Sequence, residues 1–427
     1  MSFFNIDPAL RQLCAKAEEK AAASFRRIDS IAQYNSEKVL SAFINNHVSE
    51  SHFAASTGYG YGDRGREVLD QVLAEILGCE DALIRYNFMS GTHALTVALF
   101  GVLRPGDRMV SLTGLPYDTL HGVIGLGQKE EVSGSLKDFG VQYEQLDLLE
   151  DGKVNYEGIP QAVKGAKVAY IQRSRGYSLR PSLFVEDIER IVGLVRSVNP
   201  EAIIMVDNCY GEFVQEKEPT QVGADLIIGS LIKNPGGGIA PTGGYIAGKD
   251  KYVDMCAQRL SAPGVGKEVG CTLGNTRSLF MGLFFAPTVV ASAVKTATFA
   301  ASLYELLGYD RIQHHGQLGP YLLLLIGRKR INDTVNGIGC ANSMQSGKYQ
   351  MACLRRCHGY ADGFIIPHLS QQDNIRRLAQ GCPQAGDIAV RIRDNLPLGY
   401  HALFMPVQVF NGVLQCLSLI HISEPTR

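Results

Sequence analysis

The chain has 427 residues, 45% of them hydrophobic and 19% charged, a composition that excludes an intrinsically disordered chain. Lys and Arg number 41 against 42 Asp and Glu, so the net charge of −1 excludes a protein built around a strong basic field for nucleic acid. The first twenty residues carry no basic segment followed by an apolar one, and ten cysteines in so long a chain read as reduced thiols, so a cytoplasmic location is expected.

In chain order, residues 8–28 and 30–48 predict two helices, followed by a Gly/Tyr loop from Gly58 to Gly65 and a helix over 66–77. An apolar helix is expected over 92–103, stopped by Arg104-Pro105-Gly106-Asp107. Short apolar strands follow at 107–111, 167–172, 202–206 and 226–229, with helices at 119–126 and 184–197 between them. That alternation predicts an α/β fold with a mostly parallel sheet covered on both faces. Residues 276–307 read as a long apolar helix with Pro287 inside it, expected to kink and to act as a linker. The expected organisation is an N-terminal helical segment (1–54), a large domain (55–290) and a linker helix (291–310).

Beyond residue 310 the composition changes. Residues 1–310 hold 29 Lys and Arg against 36 Asp and Glu, whereas residues 311–427 hold 12 against 6. No glutamate lies between Glu305 and Glu424. The last eleven residues, LSLIHISEPTR, resemble the translation of a sequencing-library adapter, and 311–416 is expected to be a shifted reading frame. Tyr321 to Ile326 in this region is apolar, yet far below the ~20 residues of a membrane span.

Three motifs invite a site and fail on context. Gly60-Tyr61-Gly62-Asp63-Arg64-Gly65 fits the dinucleotide pattern but lacks the hydrophobic strand that must precede it. Pro263 to Glu268 has Glu268 where a phosphate loop needs Ser or Thr. Cys353, Cys357 and His358 have no second ligand pair at a zinc-like spacing, so no metal is expected.

The informative run is Met205 to Gly248. Asp207 follows the apolar strand AIIMV and so stands at a strand's C-terminal end, where open α/β sheets bind ligands. Tyr210 comes three residues later; after DLIIG come Ser230 and then Lys233, among Asn, Pro and three glycines. Upstream, Ser90-Gly91-Thr92 opens an apolar helix and can present backbone N–H groups and hydroxyls to a phosphate. Tyr117 follows the next short strand and can stack on a ring. One cofactor needs a lysine, a carboxylate for a pyridine nitrogen and phosphate donors together: pyridoxal 5′-phosphate. Burial of such a lysine is expected to lower its pKa.

SGTHA, LRPGD, GLPYDTL, IQRSRGY, VDNCYGEF and GSLIKNPGGGIAPTGGYIAG together resemble the fold-type I pyridoxal-phosphate enzymes, in particular the methionine γ-lyase and aluminium-resistance group related to cystathionine lyases. The likeness runs from about residue 5 to 310. It implies that Lys233 is the Schiff-base lysine, Asp207 the partner of the pyridine nitrogen and Tyr210 a hydroxyl near the ring oxygen. It further implies Ser230, Ser90, Gly91 and Thr92 at the phosphate and Tyr117 on the ring, while Arg173 and Arg175 could meet a substrate carboxylate. Tyr59, Tyr61 and Arg66 resemble a loop that reaches a neighbouring subunit's phosphate, implying a homodimer or homotetramer. The small C-terminal domain of such enzymes is not recognisable here. The activity implied is a carbon–sulfur lyase acting on a cysteine-, methionine- or cystathionine-like amino acid, with no nucleic acid or membrane partner. An aminotransferase, and a cofactor-binding stress-resistance protein with little turnover, stay open as alternatives.

Overall fold

The computed structural model describes residues 6–127, 134–176, 180–310 and 326–327. The expectations for the rest of the C-terminal region, including Tyr321 to Leu325, the Cys353/Cys357/His358 cluster and the adapter-like end, lie outside the described residues. The chain divides into two compact units. The described part of one is Ala15–Leu303, which carries the sheet and every candidate site residue; the described parts of the other are residues 6–14, 304–310 and 326–327.

The elements run α1 (Pro8–Asn45), α2 (Arg64–Leu77), β1 (Asp81–Arg85), α3 (Gly91–Val102), β2 (Arg108–Ser111), α4 (Asp118–Ile124), β3 (Gln142–Gln145), α5 (Ile159–Ala162), β4 (Val168–Gln172), α6 (Val185–Val198), β5 (Ile203–Asp207), β6 (Leu226–Ser230), β7 (Gly244–Gly248), α7 (Asp250–Leu260) and α8 (Thr276–Leu306). The two expected N-terminal helices are one. α1 continues through residue 29 because Ile28, Val39 and Ala42 lie on the stripe that enters the core, and that burial outweighs the polar interruption. Residues 15–45 and α8 as far as Leu303 belong to the same compact unit as the sheet. Pro287 sits buried inside a continuous α8. By length and hydropathy α8 could cross a membrane, but Leu279, Phe280, Leu283, Ala286, Val290 and Val294 are buried in the core.

The sheet has the order β1-β7-β6-β5-β4-β2-β3. Only β7 runs against its neighbours; β2 to β6 are mutually parallel. Successive residues of a strand face opposite sides, and both sides are covered, which is why the central strands read as unbroken apolar runs. Ile84, Val110, Ile171, Val206 and Ile227 pack on the side of α1, α2, α6 and α8. Met109, Tyr170, Met205, Ile228 and Ile246 pack on the side of α3, α4 and α7. This is the α/β architecture, with a mostly parallel sheet covered on both faces, that the sequence predicts.

Candidate active site

Strand parity builds the site. Continuing each strand by two residues from Met109, Tyr170, Met205 and Ile228 reaches Ser111, Gln172, Asp207 and Ser230, all on the α3 side and all at the C-terminal edge. Register holds the row together: Gln172 pairs with Asp207, Asp207 with Ile228, and Ser230 with Gly244, which in turn pairs with Arg85 at the end of β1. The loops after β1, β2, β4, β5 and β6 therefore leave the sheet along one edge, where open parallel sheets receive ligands.

At one end of the row lies the N-terminus of α3. Ser90 caps it, its Oγ accepting the His93 amide at 3.1 Å. The first amides of a helix have no partner within it and carry the positive end of its dipole, so they face outward as anion donors. Gly91 is pressed against β6: a Cβ there would lie 3.3 Å from Ser230 Cβ and 3.4 Å from Cys209 Sγ. Ser230 is fully buried, and its Oγ has no hydrogen-bond partner. A buried hydroxyl without a partner costs roughly 1–3 kcal/mol. Its position beside the helix N-terminus fits a group that supplies acceptor oxygens, as a phosphate does. Thr92 shares a hydrogen bond of 2.6 Å with Thr119, which ties α3 to α4.

Asp207 is buried at the end of β5. Its carboxylate accepts the Cys209 amide at 3.1 Å and the Tyr170 hydroxyl at 3.5 Å. Burial raises its pKa, opposed by the charge of Lys233 and by these hydrogen bonds. Tyr210 adopts a left-handed backbone (φ 68°), and the Lys233 ammonium stands 4.4 Å from the centre of its ring. The expected lowering of the Lys233 pKa is corrected: burial lowers it, but the acidic groups around it, Cys209, Tyr210, Asp207 and Tyr117, raise it further. Burial pushes the Cys209 thiol itself well up. Asp207 and Lys233 are thus coupled electrostatically within one buried site. Asn234, next to the lysine, donates to the Glu212 carbonyl at 2.9 Å and fixes the loop.

Tyr117 caps α4, and its amide donates to Gln172 Oε1 at 2.6 Å. Arg173 is corrected. Its side chain turns away from the edge to Asn208 Oδ1 (2.8 Å), Gln215 Oε1 (3.0 Å), the Leu183 carbonyl (3.3 Å) and Glu218 Oε2 (3.4 Å), so it braces the loop behind Asp207. Arg175 is buried, with its pKa lowered by that burial. Arg66 is buried and donates to the carbonyls of Gly60 (2.8 Å) and Gly270 (2.7 Å), so it anchors the loop that carries Tyr59 and Tyr61. Tyr59 and Tyr61 are 77% and 68% exposed, with ring centroids 5.9 Å apart.

Sequence reasoning missed Gln172, Cys209 and Arg180. Arg180 is buried with its pKa lowered to about 10 by burial, opposed mainly by Asp207, and it donates to the Gln172 carbonyl at 2.7 Å. The signal for Gln172 was present: it is the one polar residue ending VAYIQ, in step with Asp207 ending IIMVD.

The sequence pattern of the methionine gamma-lyase family matches residues 10–317. The chain belongs to that family. It is 45% identical over 301 residues to the YnbB protein of Bacillus subtilis, covering 70% of this chain and 71% of that one. A carbon–sulfur lyase involved in aluminium resistance from Clostridium novyi superposes with a TM-score of 0.71 at 47% identity, covering 74% of this chain and 75% of the other. The L-methionine gamma-lyase of Treponema denticola is 24% identical over 226 residues, 53% of this chain and 51% of its own length.

Proposed function

We propose that the protein is a pyridoxal-phosphate-dependent carbon–sulfur lyase acting on a sulfur-containing amino acid. The observation that carries this reading is the buried, unpartnered Ser230 hydroxyl beside the N-terminus of α3, on the same sheet edge as the Lys233–Asp207 pair. The names borne by the Clostridium novyi and Treponema denticola relatives support it.

On this reading Ser230, Gly91 and Thr92 bind the phosphate, with Ser90 holding the helix end open toward it. Asp207 would partner the pyridine nitrogen, Tyr210 would lie toward the ring oxygen, Tyr117 would stack on the ring, and Lys233 would be the lysine that holds the cofactor. When bound, the cofactor supplies an electron sink for the substrate's α-carbon. As the amine of the site, Lys233 Nζ would be the group to accept the substrate's α-proton, and Asp207 would face the ring nitrogen. Arg175 is assigned to the substrate carboxylate, and a cytoplasmic homo-oligomer to the assembly, with Tyr59 and Tyr61 facing a second copy.

The test is product analysis. With the cofactor added, cystathionine, cysteine or methionine should each be tried for release of a thiol or sulfide, ammonia and a 2-oxo acid, pyruvate for β-elimination and 2-oxobutyrate for γ-elimination. At least one should yield all three products in equal amounts. Transfer of the amino group to a 2-oxo acid acceptor without release of sulfur would instead favour an aminotransferase.

A further inference from the structure

We propose that Gln172 is a positioning residue whose carboxamide sets Tyr117 in the site, and that this role requires an amide and not merely a polar or apolar side chain of similar length. The inference rests on the pyridoxal-phosphate reading only for what Tyr117 does, not for how it is held.

Gln172 is 4% exposed, yet every polar group of its side chain is engaged. Oε1 accepts the Tyr117 amide at 2.6 Å, and Nε2 donates to the Ser174 carbonyl at 3.0 Å. Its own amide donates to Thr113 Oγ1 at 3.0 Å, in the same β2–α4 connection that leads to Tyr117. One side chain thus joins the exit of β2 to the exit of β4. Tyr117 needs such a tie because it precedes a seven-residue helix, too short to hold its own first residue firmly. The ring is then set from the other side by Gly176, whose φ is +56° and where a Cβ would lie 3.2 Å from Tyr117 Cδ2. Residue 176 must be glycine on both counts. Ser174 and Gly176 belong to the loop that Gln172 Nε2 anchors, so the carboxamide fixes the Tyr117 backbone directly and its ring wall indirectly.

The chemistry of the bridge is specific. Gln172 needs an acceptor toward Tyr117 and a donor toward Ser174, and only a carboxamide of this length offers both. Glutamate would turn a second oxygen on the Ser174 carbonyl and set a negative charge beside Asp207, its partner in the strand register. Methionine would fill the volume and leave both loop groups unpaired.

The experiment has two arms on the full chain. Amide hydrogen exchange without cofactor should show Tyr117 exchanging about 5- to 10-fold faster in Gln172→Met, the size of one lost hydrogen bond, with β4 and β5 unaltered. Titration with pyridoxal phosphate, followed by absorbance and induced circular dichroism, should show about 5- to 10-fold weaker binding in Gln172→Met and Gln172→Glu. The same substitutions made on a Tyr117→Ala background should add nothing further, because their effect passes through that ring. Unchanged exchange at Tyr117, or losses that add in the double variant, would overturn the proposal. If the wild-type chain binds no pyridoxal phosphate, the functional reading fails, and the exchange arm still decides the role of Gln172.

Discussion

Asp207 and Lys233 were legible as residues because each ends an apolar strand, or lies just beyond one, with a chemistry that no core position wants. The direction of the Lys233 pKa was not, because it depends on which acids the fold gathers from β5 and the β2–α4 loop. The same holds for Glu212, which is fully buried beside β6. It accepts the Tyr245 hydroxyl at 2.7 Å, and Tyr245 and Glu212 together fill the space where Gly229 has no side chain. Burial, with the neighbouring Glu218, pushes its carboxyl from the ordinary 4.5 up to about 8 against the pull of Tyr245. Between those values the folded protein holds a proton that the unfolded chain has released. The Glu212 contribution to stability is therefore full below about pH 4.5 and is lost as pH rises toward 8. Urea unfolding at a series of pH values should show that decline, and Glu212→Gln, which cannot ionise, should flatten it. Equal slopes in the two proteins would contradict the burial of an ionisable Glu212.

Among the elements, α2, α3, α4, α6, α8 and the central strands were readable because their periodicity and apolar runs are strong, while α5 and α7 went unread. β1, β3 and β7 were not. β3 is an exposed edge, and β7 begins and ends with glycine, where Gly248 must pass so close to Asp225 that a Cβ would lie 2.0 Å from its carbonyl oxygen. Such strands are defined by their neighbours more than by their own residues. α3 makes a sharper case, since its opening glycine serves the site and not the helix. Alanine is the better helix former, but its methyl must fit against Ser230 Cβ at 3.3 Å, so the two effects oppose and Gly91→Ala should move the melting temperature of the cofactor-free protein little. Its methyl group would fill the space between α3, Ser230 and Cys209, so affinity for pyridoxal phosphate should fall at least ~10-fold, or about 1.4 kcal/mol. Calorimetry beside a cofactor titration checks both; a variant that binds normally would remove the helix N-terminus from the account.

At the scale of the whole molecule, sequence pointed to a mostly parallel sheet but not to its order, since strand order is set by crossovers between elements far apart in the chain. That order brings the exits of five strands to one edge, and parity turns Ser111, Gln172, Asp207 and Ser230 to one face. The most direct test of this convergence is where the cofactor attaches. Purified protein incubated with pyridoxal phosphate should turn yellow, and borohydride reduction followed by peptide mapping should leave a pyridoxyl group on the peptide containing Lys233 and on no other lysine. Lys233→Ala should take up no borohydride-stable label, and a label carried elsewhere, or one retained in that variant, would contradict the account.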